Sequence, residues 1–157
     1  MTLPFPSPKT GQRGMTLIEL TVVMLVMLGL IAVVFIGAGA WKRGSDRTMA
    51  ILLIRSAQQG LRSHIQIEGY REATYPDLPD QLFGAEKYIA NGTDRSTGLP
   101  KGVGELPDHP SASHSFDFVA GDGDIVPPIG TLYICTGGGG SVTDLSYNPD
   151  PSSYTQW

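Results

Sequence analysis

A long uninterrupted apolar stretch is the feature that most constrains this chain. It runs from Leu20 to Ala40, and its 21 residues are all apolar or small apart from Thr21. As a helix rising about 1.5 Å per residue, it can cross the hydrocarbon core of a bilayer, which is about 30 Å thick. A chain of 157 residues is too small to surround such a helix on every side with a soluble core. The stretch therefore predicts a single membrane-spanning helix.

Two other interpretations of the stretch stay open on these grounds. Residues 38–40 (Ala-Gly-Ala) are similar to the cleavage site of a secretory signal peptide, and basic residues precede the stretch. The apolar part of a signal peptide is about 7–15 residues long, however, which is shorter than this one. A plain single-span anchor fits the length but leaves the preceding residues unexplained. Charge does not fix the orientation of an anchor, because Lys9 and Arg13 on one side face three basic residues within 42–47 on the other.

The residues just before the span narrow the choice. Arg13 and Gly14 are followed by Met-Thr-Leu-Ile and then by Glu19, the only ionisable residue between Arg13 and Lys42. A short basic leader ending in glycine, a few mostly apolar residues, a glutamate and a membrane helix together resemble the type IV pilin and pseudopilin family. In that family a membrane-embedded peptidase cuts after the glycine and methylates the new amino terminus. The resemblance implies cleavage between Gly14 and Met15 and an assembly role for Glu19.

Each part of this motif has a physical reason. Glycine has no side chain, so the backbone at Gly14 can lie close against a peptidase active site. A carboxylate such as Glu19 within a membrane helix costs about 2.5–3.5 kcal/mol, so it needs a partner. The new amine at Met15 is cationic below a pKa of about 8 and can be that partner, either within one helix or, as in the family, on a neighbouring subunit. The chain departs from many family members by starting with methionine and by having glycines, not proline, late in the span.

The residues after the span predict a continuation of the same helix. No proline occurs between Trp41 and Glu68, and Gly69 is expected to end the helix. Apolar residues recur at helical spacing and predict one buried face: Ala50, Ile54, Ala57, Leu61 and Ile65. The opposite, exposed side is expected to carry polar residues: Arg47, Arg55, Gln58, Arg62 and Gln66.

The composition changes after Gly69. Residues 71–157 contain 12 glycines and 9 prolines, which divide the segment into short pieces. Residues 113–119 and 130–136 have the composition of strands and are expected to pair as a hairpin with a long loop. The last eleven residues are expected to be irregular or a surface strand. The predicted fold class is α+β, with a long N-terminal helix packed on a small antiparallel sheet, as in pilins.

This pattern predicts four segments. Residues 1–14 form the leader, residues 15–40 the transmembrane and assembly helix, residues 41–69 its amphipathic continuation, and residues 70–157 a small Gly/Pro-rich β region. The last segment is acidic, because residues 71–157 carry twelve acids and four bases. An acidic surface repels phosphate backbones, so a nucleic-acid partner is not expected.

A calcium site is the one metal site that the sequence suggests. Asp117, Asp122 and Asp124 lie close enough in sequence to share this cation, which prefers oxygen ligands. The segment 107–110 (Pro-Asp-His-Pro) faintly resembles a calcium-loop segment of some secretion pseudopilins. Alternating Asp and Gly is also ordinary turn chemistry, and the loop does not follow the EF-hand pattern, so no metal or cofactor is the main expectation.

Other reactive side chains form no catalytic or zinc pattern. His64, His109 and His114 lack the spacing of zinc ligands. Cys135 lies in an apolar strand, where a buried thiol acts as a small hydrophobic side chain, and it is not surrounded by a nucleophile motif. An enzyme is therefore not expected.

The resemblance implies a structural role. It implies a subunit of a type IV pilus-like or type II secretion pseudopilus filament, held in the bacterial inner membrane by one span with the C-terminal region outside the cytoplasm. The implied partners are the prepilin peptidase, other pilin or pseudopilin subunits of the same or another kind, and the inner-membrane assembly platform. The alternative is a membrane-anchored minor pilin that acts as an adhesive or calcium-binding module.

Overall fold

The computed structural model describes residues 15–137 and 145–156. In chain order, these residues form helix α1 (Leu17–Glu68), helix α2 (Leu78–Leu82), strands β1 (Phe116–Phe118) and β2 (Ile134–Thr136), and a 3-10 helix (Pro151–Gln156). The two strands form one antiparallel sheet. The predicted α+β layout, a long N-terminal helix packed on a small antiparallel sheet, is confirmed.

The chain divides into two compact units between Ala40 and Trp41. In the first unit, every described residue, from Met15 to Ala40, is exposed. All buried core residues belong to the second unit. The second unit therefore has its own hydrophobic core, while the apolar side chains of the first have no partner within the described part of the chain.

The buried face of α1 in the second unit follows the predicted helical spacing. Ala50, Ile54, Ala57 and Leu61 are fully buried and Ile65 is partly buried. The prediction for Gln58 is wrong, because this side chain is 4% exposed instead of facing solvent. Burial of a polar amide requires hydrogen-bond partners, and the backbone of the chain around residues 131–133 provides them.

Helix α1 ends where the sequence predicts. Gly69 has φ +71°, a left-handed conformation that glycine adopts without the steric cost of a side chain. The amide of Tyr70 then donates a hydrogen bond of 3.1 Å to the carbonyl of Ile65. This bond is the closing bond of a Schellman motif, which satisfies one of the last free carbonyls of a helix.

The predicted hairpin forms, but each strand has three residues instead of seven. Phe116 pairs with Thr136 and Phe118 with Ile134. On the loop side of the Phe118–Ile134 pair, one further hydrogen bond runs from the amide of Val119 to the carbonyl of Tyr133. Pairing stops there because residues 128–131 form a turn, in which the Thr131 amide bonds to the carbonyl of Pro128.

The C-terminal segment corrects another expectation. Residues 151–156 form a 3-10 helix, not irregular chain or a surface strand. Asp150 explains its start, because its carboxylate accepts hydrogen bonds from both the amide and the hydroxyl of Ser152. An aspartate in front of a helix satisfies amide groups that have no partner within the helix, and Pro151 suits the first helical position because it has no amide to satisfy.

Candidate functional site

The apolar half of α1, which runs to Ala40, is a large exposed hydrophobic surface of the described chain. All its residues are exposed, including large side chains such as Leu25, Leu28 and Phe35. It belongs to the one described helix that is long and apolar enough to cross a membrane, a test that a signal sequence near the N-terminus also passes. The described part of the chain thus has one candidate membrane span. Such a surface needs a cover of lipid or protein, since contiguous apolar patches of this size are rarely left in water.

Glu19 lies in the first turn of this helix. Helix α1 begins at Leu17, and the carbonyl of Thr16 accepts hydrogen bonds from the amides of Glu19 and Leu20. A carboxylate in the first turn also interacts favourably with the positive end of the helix dipole. Thr16 and Glu19 are spaced as in a capping box, a local sequence pattern at the start of a helix.

The processing residues lie at the edge of the described chain. Gly14 is outside the described residues. Met15 is 68% exposed and lies before helix α1, which begins at Leu17. The described geometry therefore leaves both the main chain at Met15 and the Glu19 carboxylate open to partners from outside the chain.

A cleft of about 580 Å³ lies in the second unit, and its polar side chains hold loops together. Lys101 forms an ion pair of 2.7 Å with Asp108, whose carboxylate also accepts a hydrogen bond from the amide of Arg95. The hydrogen bond from Lys101, followed by that from Arg95, lowers the pKa of the Asp108 carboxyl. The guanidinium of Arg95 donates to the carbonyls of His109 and Pro110. These contacts give Lys101, Asp108 and Arg95 a structural role.

Two of the three histidines come together beside this cleft. The ring centroids of His109 and His114 are 5.4 Å apart, and both rings pack against Tyr147. Both ring nitrogens of His109 are already engaged, Nδ1 by the amide of Ser111 and Nε2 by the hydroxyl of Thr136. Burial is the main cause that lowers the pKa of His109 below its ordinary value, which favours the neutral ring.

The candidate calcium ligands do not form a recognisable metal site. Asp117 lies in β1, where its carboxylate accepts a hydrogen bond from the amide of Phe118. Asp122 and Asp124 lie in the turn that follows β1, and the Asp124 carbonyl accepts a bond from the amide of Tyr75. Within residues 15–137 and 145–156, no group of three His, Cys, Asp or Glu side chains is arranged to hold a metal ion.

Cys135 is fully buried in β2, opposite Asp117. Burial raises the pKa of its thiol to about 11, and the nearby Asp117 carboxylate adds to this effect. The thiol is therefore protonated at neutral pH, and a protonated, buried thiol is a poor nucleophile.

Three side-chain amides are buried among the described residues, and two of them bond to the backbone of β2 or of the segment just before it, which the sequence did not indicate. Gln58 links α1 to the segment before β2, and Asn148 links the C-terminal segment to β2. The Asn148 side chain accepts a bond from the amide of Thr136 and donates one to its carbonyl, both at 2.8 Å. The side-chain amides of Gln58 and Asn148 each accept a bond from a backbone amide and donate one to a backbone carbonyl, as the backbone of a neighbouring strand would. An amide residue between buried positions, as Gln58 is between Ala57 and Leu61, was the only sequence feature that could have indicated this role.

Comparisons of the chain with protein-family models, with curated proteins and with solved structures return no match.

Proposed function

We propose that this chain is a structural subunit of a pilus-like or secretion-pseudopilus filament. In this proposal, a prepilin peptidase cleaves the chain after Gly14 and methylates Met15. The chain is held in the bacterial inner membrane by its single span until it is assembled, together with other subunits of the same or another kind, at a membrane platform. It catalyses no reaction and uses no cofactor.

One observation carries the proposal: a single carboxylate, Glu19, lies in the first turn of a helix whose apolar half is exposed along its whole length. A membrane covers such a surface before assembly, and the same surface on other subunits covers it afterwards. A carboxylate is unfavourable among apolar groups unless a cation meets it. The amine that cleavage creates at Met15 is such a cation, and in a filament it reaches the Glu19 of a neighbouring copy.

The length of the apolar stretch favours this role over a secretory signal peptide, whose apolar part is about 7–15 residues long. A signal peptidase would cut after Ala40. A cut at that point would remove the apolar half and leave the amphipathic half, whereas a cut after Gly14 keeps the whole helix on the product. A plain anchor keeps the helix too, but it gives no role to Gly14 or Glu19.

The mass of the N-terminal peptide, measured on protein purified from its native host, tests the proposal. We expect a chain that begins with N-methylated Met15. A Gly14→Leu variant should keep its leader, while a Gly11→Leu variant, which changes another leader glycine, should be processed normally. Electron microscopy should show filaments only where processing occurs. A chain beginning at Trp41, or normal processing of Gly14→Leu, would refute the proposal.

A further inference from the structure

A cleft of about 470 Å³ opens beside the last two turns of α1. Helix α1 contributes His64 and Glu68 to its lining. The segment that follows α2 contributes Glu86, Lys87 and Tyr88, and Gln81 of α2 completes the lining. We call this the acidic cleft, because its carboxylates outnumber its one ammonium group.

His64 is the unexplained group in the acidic cleft. Its side chain is 5% exposed, and its Nε2 atom is buried without a hydrogen-bond partner. The ring packs edge-on against Tyr70 and Tyr88, which offer it no polar atom within bonding distance. A buried polar atom without a partner is unfavourable and rare, so it indicates a missing group. Tyr88 lines the same cleft and is 48% exposed, so its ring can move aside for such a group.

The charges around His64 indicate what the missing group is. Glu68 and Glu86 are both exposed, and neither has an ion-pair partner among the described residues. An imidazole nitrogen that carries no proton is a hydrogen-bond acceptor. A positively charged donor therefore fits the cleft, and a guanidinium fits best because it has several donors in one plane.

The same chain carries such donors at the start of its second unit. Arg43 and Arg47 lie one helical turn apart on α1, both are exposed, and neither has an ion-pair partner within the described part of the chain. His64 and Glu68 are also one turn apart on α1. Two pairs with the same spacing on parallel helices can be matched by one displacement along the axis combined with one rotation about it.

The displacement is the same for both pairs. Arg43 precedes His64 by 21 residues, and Arg47 precedes Glu68 by 21 residues. At the rise of an α-helix, this separation is about 32 Å. Over 21 residues a helix makes five full turns and about 300° more, so Arg43 and His64 point in directions about 60° apart around the axis. A second, parallel copy that is shifted by this distance and turned about its own axis by about 120° brings Arg43 to His64 and Arg47 to Glu68 at once.

We infer that the acidic cleft of one copy receives Arg43 and Arg47 of a second, parallel copy of this chain. This copy is a different neighbour from the one whose Met15 amine meets Glu19, because that pairing shifts the two helices by only about 6 Å. The contact joins two different surfaces, so each copy still has a free cleft or a free arginine pair for the next one. Contacts of this kind repeat without closing and build filaments. The inference rests on the proposed function and adds to it a specific contact between the second units.

Cysteine cross-linking of the full chain in membranes of the native host tests the contact. Cys135 is the only cysteine of the chain and is fully buried, so introduced thiols are the accessible ones. Copper phenanthroline serves as the oxidant that takes two electrons from each thiol pair. The variant Arg47→Cys with Glu68→Cys should give a ladder of covalent dimers, trimers and larger species. The matched control, Arg47→Cys with Asp122→Cys, places the second thiol at an exposed carboxylate outside the cleft and should give none.

Charge reversal tests the same contact without cross-linking. Arg47→Glu or Glu68→Arg alone should lower the filament yield by about tenfold or more, because each places like charges together. The double variant restores opposite charges and should restore most of the yield.

Mass spectrometry of the N-terminal peptide from the same samples separates this inference from the proposed function. A ladder in a chain that does not begin at Met15 supports the contact and refutes the processing. Correct processing without a ladder overturns the contact. A covalent link from Glu68→Cys to a different protein, or single reversals that leave the yield unchanged, overturns it as well.

Discussion

Replacing Gln58 with methionine should destabilise the second unit far more than the small change in side-chain volume suggests. The Gln58 side chain accepts a hydrogen bond of 2.9 Å from the amide of Tyr133 and donates one of 3.2 Å to the carbonyl of Thr131. Methionine has a similar length and helix propensity but offers neither group. The change therefore leaves a backbone amide and a backbone carbonyl without their partners, while the packing of the stem is largely kept.

The magnitude follows from the burial of the two backbone groups. Tyr133 is 2% exposed, so its unpaired amide bears a desolvation cost of about 1–3 kcal/mol. Thr131 is partly exposed, so water can reach its carbonyl and the additional cost is about 1 kcal/mol. The free energy of unfolding should fall by about 2–4 kcal/mol in total. Because each 1.4 kcal/mol corresponds to a factor of about ten, the open population should rise about 30- to 700-fold.

Cys135 provides the assay. Its thiol is fully buried, and burial raises its pKa to about 11, so it reacts with a soluble thiol reagent only when the structure opens. The labelling rate of Gln58→Met in detergent should exceed that of the unchanged chain by the factor above. Gln59→Met is the matched control, because the neighbouring Gln59 is exposed and should leave the rate within about twofold. Equal rates for the two variants would show that the Gln58 hydrogen bonds do not hold α1 to the sheet.

Three further predictions concern other parts of the chain. Glu19→Gln should be cleaved after Gly14 but should form about tenfold fewer filaments, because it cannot neutralise a neighbouring amine; a normal yield by electron microscopy would contradict this. A chain starting at Lys42 should dissolve without detergent as a monomer in sedimentation, because all buried core residues lie in the second unit; a need for detergent would refute it. The pKa of His109 is lowered by burial, so the unfolded chain binds this proton at higher pH than the folded one does. The contribution of His109 to the free energy of unfolding should therefore be fully present above about pH 6.5 and should be lost as the pH falls through the lowered pKa. In thermal unfolding, His109→Gln should lose less stability over this pH range than the unchanged chain, and equal losses would exclude His109 as the cause.

The sequence by itself determined the features that depend on contiguous residues. The length of the apolar stretch predicts the candidate span, and the spacing of Ala50, Ile54, Ala57 and Leu61 predicts the buried face of α1. Gly69 marks the end of the helix because a left-handed residue is needed there. The proposed processing and assembly residues are likewise a linear motif, and their function remains a prediction of the sequence.

Only the tertiary structure decided the features that depend on distant residues. The Gln58 side chain bonds to Thr131 and Tyr133, which follow it in the chain by 73 and 75 positions. Helical periodicity alone therefore placed Gln58 wrongly on the exposed side of α1. The acidic cleft arises because the segment carrying Glu86 and Tyr88 folds back beside His64, a pairing that no local pattern encodes. A polar side chain becomes buried or exposed according to whether a distant backbone supplies its hydrogen bonds, and that supply exists only once the chain has folded.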